Sequence, residues 1–331
     1  MNRILLGHGS GGSLMHDLIR EYLAPSFDLD GLGDSAILSI KPHRLAFTTD
    51  SYVVSPLFFP GGNIGELSVY GTINDLSVSG AEPLFLTAGL IIEEGFPMDD
   101  LKRIISSMAE AANKAGVRIV AGDTKVVNKG KGDGIFINTS GIGLLYEGLS
   151  LSARNIKKGD LVIISGEIGN HGMAIMAERN GISFDPPLRS DTAPLNELVR
   201  DMVKVSREIR FMRDPTRGGL ATTLKEVALE SGLCIRIKED LIPVPQQVVG
   251  ACELLGLDPL YIANEGVLIA IVSEGDAENI LLRMKEHPLG RKAAIIGEID
   301  DSPQGMVLLE TSIGGSRMIE MLQGEQLPRI C

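Results

Sequence analysis

From Ala36 to Glu310 the chain alternates apolar runs of strand length with stretches of helical period, which confines it to mixed α/β (α+β) architectures. The runs Ala36 to Ile40, Leu45 to Thr49, Leu84 to Glu93, Val117 to Ala121 and Ile135 to Leu145 read as strands. So do Leu161 to Ser165, Leu233 to Lys238, Val267 to Val272, Ala293 to Ile299 and Met306 to Glu310. Asn63 followed by Glu66 forms a capping box that opens a helix through about Val78. Pro97, Asp99 and Asp100 suit the first turn of a helix that stops at Gly116. Further helices are expected near His171 to Arg179, Pro194 to Arg207, Leu220 to Glu230, Gln246 to Leu255 and Asp276 to Glu286.

A length of 331 residues suggests two domains. The polar, Lys- and Arg-rich segment Ser152 to Asp160 separates two strands and marks the junction. The expected organisation is residues 1–150, residues 151–310 and a flexible tail over 311–331, where Gly314, Gly315, Gly324 and Pro328 interrupt the periodicity. The charge balance narrows the function. With 31 Lys and Arg against 43 Asp and Glu the net charge is −12, and residues 1–150 and 151–331 contribute −6 each, so no basic surface for nucleic acid is expected. The longest apolar run, Leu84 to Ile92, is about half the ~20 residues a membrane-spanning helix needs, and the first residues lack a signal-peptide core. A cytoplasmic protein with no membrane partner is expected. Three cysteines without C-x-x-C spacing agree with a reducing compartment. Cys234 and Cys252 lie in apolar patterns that suit a core, whereas Cys331 is the last residue.

Gly7-His8-Gly9-Ser10-Gly11-Gly12 fits G-x-G-x-x-G, with Asp28 and Asp30 about 20 residues on, but only three apolar residues precede it where a dinucleotide fingerprint needs a strand. Aspartates that follow apolar runs carry more information: Asp34, Asp50, Asp75 and Asp123. Carboxylates at strand ends suit Mg²⁺ bridging substrate phosphates, and each alone also suits a turn or a helix cap. Asp75, beside Asn74 in mid-helix, has no capping duty; its plain role would be an exposed helix face. The segment Asp214-Pro215-Thr216-Arg217-Gly218-Gly219 before a helical pattern reads as a phosphate cradle or an ordinary glycine turn. Ser165 to Gly172 has the same form. Lys125 and Glu265, taken alone, read as surface charges.

Assembled, these segments resemble the HypE family of hydrogenase maturation factors, carbamoyl dehydratases of the superfamily that includes aminoimidazole ribonucleotide synthetase, thiamine monophosphate kinase and selenophosphate synthetase. The resemblance runs from HGSGG at His8 through the TDSYVV block at Thr49, GDTKVV, DPTRGG and NEG to Pro328-Arg329-Ile330-Cys331, nearly the full length. One departure is Ser35, where relatives often carry a second acid after the aspartate at position 34.

The resemblance implies a two-domain aminoimidazole ribonucleotide synthetase-like fold whose N-terminal sheets form a barrel across a homodimer, with a flexible C-terminal tail. It implies Mg²⁺ on Asp50, Asp75 and Asp123, and ATP phosphates near these and near Asp34, Asn74, Asp214, Gly218 and Gly219. It further implies ATP-dependent dehydration of an S-carbamoyl group on Cys331 to a thiocyanate, with Lys125 and Glu265 as a coupled pair and Glu265 as proton acceptor. The cyanide would serve the iron of a NiFe hydrogenase. The implied partners are the carbamoyltransferase HypF and the HypC–HypD scaffold complex. Two readings stay open: a kinase or synthetase of the same superfamily acting on a diffusible molecule, and a non-catalytic thiol carrier.

Overall fold

A computed structural model describes residues 12–23, 35–40, 42–322, 327 and 329–331. Gly7 to Gly11, Asp28, Asp30, Asp34, Gly324 and Pro328 lie outside the described residues. After helix α1 (Ser13–Leu18) come strands β1 (Ala36–Ile40), β2 (His43–Tyr52), β3 (Phe58–Phe59) and β4 (Gly62–Asn63). Helix α2 (Ile64–Val78), β5 (Ala81–Glu93), α3 (Met98–Ala115), β6 (Arg118–Val127) and β7 (Ile135–Leu145) complete the first half. The second half runs β8 (Leu161–Ile164), α4 (Asn170–Asn180), α5 (Asn196–Val205), β9 (Ile209–Arg213), α6 (Gly219–Ser231), β10 (Cys234–Lys238), α7 (Gln246–Leu255), β11 (Ile269–Val272), α8 (Glu274–Glu286), β12 (Ala294–Asp300), β13 (Val307–Glu310) and β14 (Ser316–Ile319).

The first sheet has five strands in the order β1-β2-β7-β5-β6, antiparallel except for the parallel pair β5–β6. Among the described residues it is open, with β1 and β6 at its edges, so the described strands of one chain close no barrel. Helix α2 starts where the capping box places it. Asn63 Oδ1 accepts from Gly65 N–H at 2.8 Å, and the Glu66 carboxylate accepts the Asn63 N–H in return. Both α2 and α3 cover one face of the sheet. Helix α3 buries Ile104, Met108, Ala111, Ala112 and Ala115, an i, i+4, i+7 stripe, and ends on Gly116 at φ 70°. Among the described residues nothing covers the opposite sheet face.

The second sheet has seven strands in the order β14-β13-β10-β12-β8-β11-β9 and is sandwiched between helices. On one face Leu220, Leu224 and Val227 of α6 meet Val162, Ile164, Ile235 and Ile237. On the other, Leu198, Val199 and Met202 of α5 and Ile280 and Met284 of α8 meet Ile163, Ala270 and Met212. Alternate strand residues therefore feed separate cores, as the two-residue strand period requires.

The sequence expectation of a tail from residue 311 is corrected here. Thr311 and Gly315 exchange hydrogen bonds in a tight turn, and Ser316–Ile319 pairs antiparallel with β13 as the edge of the second sheet. Strand β9 was also unforeseen.

Candidate active site

The two halves meet around a cavity of about 350 Å³. Its lining includes Thr48, Asp50 and Asp75 from the first half, Asp214, Arg217 and Glu265 from the second, and Cys331. On β2 the period of two turns Ala46, Thr48, Asp50 and Tyr52 toward α2. There the Thr48 hydroxyl donates to Asp75 Oδ2 at 3.0 Å, so Asp75 sits at the cavity rather than on an exposed helix face.

The DPTRGG segment links β9 to α6. Asp214 is buried at the strand end, Thr216 N–H donates to Asp214 O at 3.0 Å, and Gly219 N–H donates to Thr216 O at 3.0 Å. This tight turn delivers the Arg217 guanidinium to the cavity. Gly218 and Gly219 take φ of 79° and 61°. A Cβ on Gly219 would stand 2.6 Å from the carbonyl oxygens of Leu260 and Ile262, so close backbone packing alone accounts for this glycine.

Glu265 is fixed from three directions. Its neighbour Asn264 accepts from Gly169 N–H at 2.7 Å and donates to Pro215 O at 2.8 Å, strapping both glycine loops together. The N–H groups of Glu265 and Gly266 donate to the Asp191 carboxylate at 3.2 and 3.1 Å. The Glu265 carbonyl accepts from Asn74 Nδ2 at 3.2 Å. The side chain of Glu265 is 2% exposed, and its Oε1 has no hydrogen-bond partner among the described residues.

The electrostatics follow from burial and crowding. Burial, then Asp214, Asp191 and Asp50, hold the Glu265 carboxyl well above the usual carboxylate range, against the pull of Arg217. Burial also raises Asp50, opposed chiefly by Arg217, and pushes Asp191 up to about 6. The Cys331 thiol is pushed up to about 12 by burial, with Arg217 acting the other way and the surrounding acids adding to the rise. Arg217 is stabilised as a cation first by Cys331, then by Asp50 and Glu265. It is the positive group that shares this cavity with the thiol and the acids.

Cys331 reaches the cavity because the last residues dock. Val53 N–H donates to Cys331 O at 3.1 Å and Ser55 N–H to Arg329 O at 3.2 Å, while the Ile330 carbonyl accepts from His171 Nε2 at 2.8 Å. Burial, with Arg179 adding, lowers His171 to about 4, so its ring is neutral near pH 7.

Two expected groupings are not made within one chain. The Lys125–Glu265 pair does not form within the chain: Lys125 lies on edge strand β6, 71% exposed, with its ammonium 2.8 Å from Asp123. Asp123 for its part does not join Asp50 and Asp75. Strands β7 and β5 stand between, so β2 and β6 are roughly 14 Å apart at ~4.8 Å per strand. Asn74 reaches the seam between the halves. Its amide donates to Ala193 O and Glu265 O and accepts from Leu195 N–H, which uses both of its N–H groups on backbone. Sequence reasoning also missed Arg217, Asp191, His171 and Arg179; Arg217 lay inside a motif already singled out, between the aspartate and the glycines.

Among the described residues no three His, Cys, Asp or Glu side chains converge on a point that would hold a metal ion. Asp50 and Asp75 still offer hard oxygens on one cavity wall. That donor set fits Mg²⁺, which takes one or two carboxylates and completes its shell with phosphate oxygens and water.

Comparison with known proteins identifies the family. The family models for the AIR synthase related protein match residues 32–145 (N-terminal domain) and 157–309 (C-terminal domain). The carbamoyl dehydratase HypE of Cupriavidus necator is 51% identical over 333 residues, 99% of this chain and 95% of that protein. The solved HypE–HypF complex includes a chain that is 51% identical, with a TM-score of 0.87 over 92% of this chain and 99% of that one. A HypE solved in complex with ATP is 46% identical, with a TM-score of 0.85 over 99% of this chain and 100% of the other.

Proposed function

Since the chain belongs to the AIR synthase related family and, within it, to the HypE carbamoyl dehydratases of hydrogenase maturation, we propose that it dehydrates an S-carbamoyl group carried on its own Cys331. The observation that carries this reading is the docked thiol. A side chain from the last residue shares one cavity with a buried carboxylate, one oxygen of which has no hydrogen-bond partner among the described residues, an arginine and two aspartates that suit Mg²⁺.

ATP is the co-substrate, a reading supported by the relative solved in complex with ATP, and its γ-phosphoryl group is transferred to the carbamoyl oxygen with release of ADP. With one N–H proton released to solvent, the carbamoyl group thereby becomes an iminoyl phosphate whose phosphate can leave. Loss of the remaining N–H proton with expulsion of phosphate gives S–C≡N. Glu265 is the acceptor of that proton, because a carboxylate whose proton affinity is raised by burial takes an N–H proton more readily than an exposed one. Arg217 faces the developing phosphate charge. Asp50 and Asp75 would hold Mg²⁺, which when bound neutralises phosphoryl charge.

Asp123 and Lys125 act in a homodimer. On the open face of the first sheet Phe47, Ile142 and Phe85 lie in one cross-strand row and are 42%, 37% and 41% exposed. An apolar row next to edge strand β6 supports pairing with a second copy, which closes the barrel and brings Asp123 and Lys125 of one protomer to the other's phosphates. HypF, whose association the relative's complex supports, loads the thiol, and the HypC–HypD complex accepts the cyanide.

The test is mass spectrometry of the Cys331 peptide after incubation with the carbamoyltransferase, carbamoyl phosphate and ATP. The expected product is the carbamoylated peptide less one water, dependent on ATP and on Glu265. Turnover of ATP with the Cys331 peptide unmodified would reject the reading.

A further inference from the structure

The cavity explains the chemistry of the thiol but not what keeps it there. The carbonyls of Arg329, Ile330 and Cys331 are each bound by a different group. Those of Cys331 and Arg329 face the Val53–Ser55 segment and accept its N–H groups, in the manner of an added antiparallel strand. That of Ile330 turns the other way and accepts from His171 Nε2. Ile330 itself is 3% exposed and packs with Tyr52, Val54, Phe59 and Ile175.

His171 is wholly buried at the start of α4, and its hydrogen bonds fix its tautomer. A carbonyl only accepts, so Nε2 carries the proton and Nδ1 accepts from the Ser190 hydroxyl at 2.8 Å. Ser190 Oγ in turn accepts from Thr192 N–H at 3.1 Å, which leaves its own proton free to point at the ring. Phe59 packs edge-on against the imidazole at 5.6 Å between centroids. Two turns along the same helix, Arg179 donates to the carbonyls of Ser55 and Arg329 and clamps the two segments together. Arg329 completes the arrangement by donating to Val53 O at 2.9 Å and pairing with Asp133. With the tail gone, the Nε2–H of His171 would be a buried donor without its acceptor, a costly state that favours reseating.

We infer that His171 and Arg179 are positioning residues that seat the peptide units of Arg329 and Ile330, and so present the Cys331 thiol to Glu265. The inference rests on Cys331 being the carrier, and it assigns the holding of that carrier to α4, outside the cavity wall.

The test is the rate at which Cys331 in the full chain reacts with a maleimide at neutral pH, without ATP or transferase, followed by mass spectrometry of the terminal peptide. Loss of a buried hydrogen bond of this kind predicts labelling about tenfold or more faster in His171→Ala and Arg179→Ala. His171→Gln, which keeps an N–H near the Nε2 position, is expected within about threefold of wild type, as retention of that bond implies. Cys234 and Cys252, 0% and 1% exposed, report unfolding in the same sample. If they react in the His171→Ala protein, Arg179→Ala decides. In single turnover of carbamoylated protein the seat variants should lose rate while the KM for ATP stays unchanged. Wild-type labelling in both Ala variants, or His171→Gln as fast as His171→Ala, would overturn the seat. Labelling involves no turnover, so that result would leave the dehydration reading standing.

Discussion

At the residue scale the sharpest demand falls on Glu265. Its carboxyl is buried among Asp214, Asp191 and Asp50, so it holds a proton far more tightly than a free glutamate. Glu265→Gln keeps the shape and removes the proposed proton acceptor. The expected result is retained ATP binding with dehydration slowed by about 10²- to 10⁴-fold, the usual range for a lost general base, read from single-turnover mass spectra. Normal dehydration in this variant would move the base elsewhere. His171 makes a second demand, through pH. Its ring titrates near 6.5 in the unfolded chain but at about 4 in the fold. Above pH 6.5 both states are neutral and the burial carries no pH penalty. As pH falls from 6.5 toward 4 the unfolded chain takes up a proton that the folded chain refuses, so wild type loses stability relative to His171→Gln. At pH 5 the relative loss is about 2 kcal/mol, from 1.36 kcal/mol per pH unit. Denaturant titrations of both proteins at pH 7 and pH 5 measure it; parallel stabilities would mean that the buried imidazole titrates normally.

At the scale of elements, the site draws on strand β2, helix α2 and the turns beside β9 and β11, and the glycines of those turns have separate duties. A Cβ on Gly266 would lie 1.9 Å from Asp191 O, so Gly266 exists to let the Asp191 turn approach the Glu265 backbone. Gly266→Ala forces that turn away. The expected cost is about 2 to 3 kcal/mol, as for other overpacked positions, with a lower unfolding temperature and reduced turnover from a displaced Glu265. Unchanged thermal unfolding would show that the turn yields freely. The legibility of the chain divides along the same line. Helix α2 and strand β7 were readable to the residue because cap chemistry and strict alternation are local signals. Strand β9, Ile-Arg-Phe-Met-Arg, was not, since five residues between a helix and a glycine turn carry too little pattern. Strand β14 was hidden because β13 pairs with it through a turn that reads as tail. Asp50 and Asp75 were visible as carboxylates after apolar runs, whereas Glu265 stood out only through the family resemblance. His171 and Arg179 were not visible, because what they hold lies 159 and 150 residues away in sequence.

At the scale of the molecule, the first sheet has one face covered by α2 and α3 and one left open. The open face bears the row Phe47, Ile142 and Phe85, and beside it β6 offers an unpaired edge with Ile119 and Val120 36% and 50% exposed. So much aligned apolar surface is expensive in water, at about 25 cal/mol per Å², which favours a second copy as its cover. The same geometry accounts for the acidic and basic groups stranded at the far edge. Asp123 and Lys125 pair with each other on β6, too far from Asp50 to share its ion within one chain, and a partner whose β6 crosses the cavity mouth would make them useful. Ile142→Asp tests both statements at once, because the residue is central to the row and partly exposed, so a charge there disturbs association more than folding. Sedimentation is expected to show a folded monomer, and ATP-dependent dehydration is expected to fall together with the dimer fraction. Adding Asp123→Asn to that monomer should then cost little further activity, whereas in the dimer Asp123→Asn alone should cost much. A fully active monomer would mean that each chain builds its site alone and that β6 contributes nothing to it.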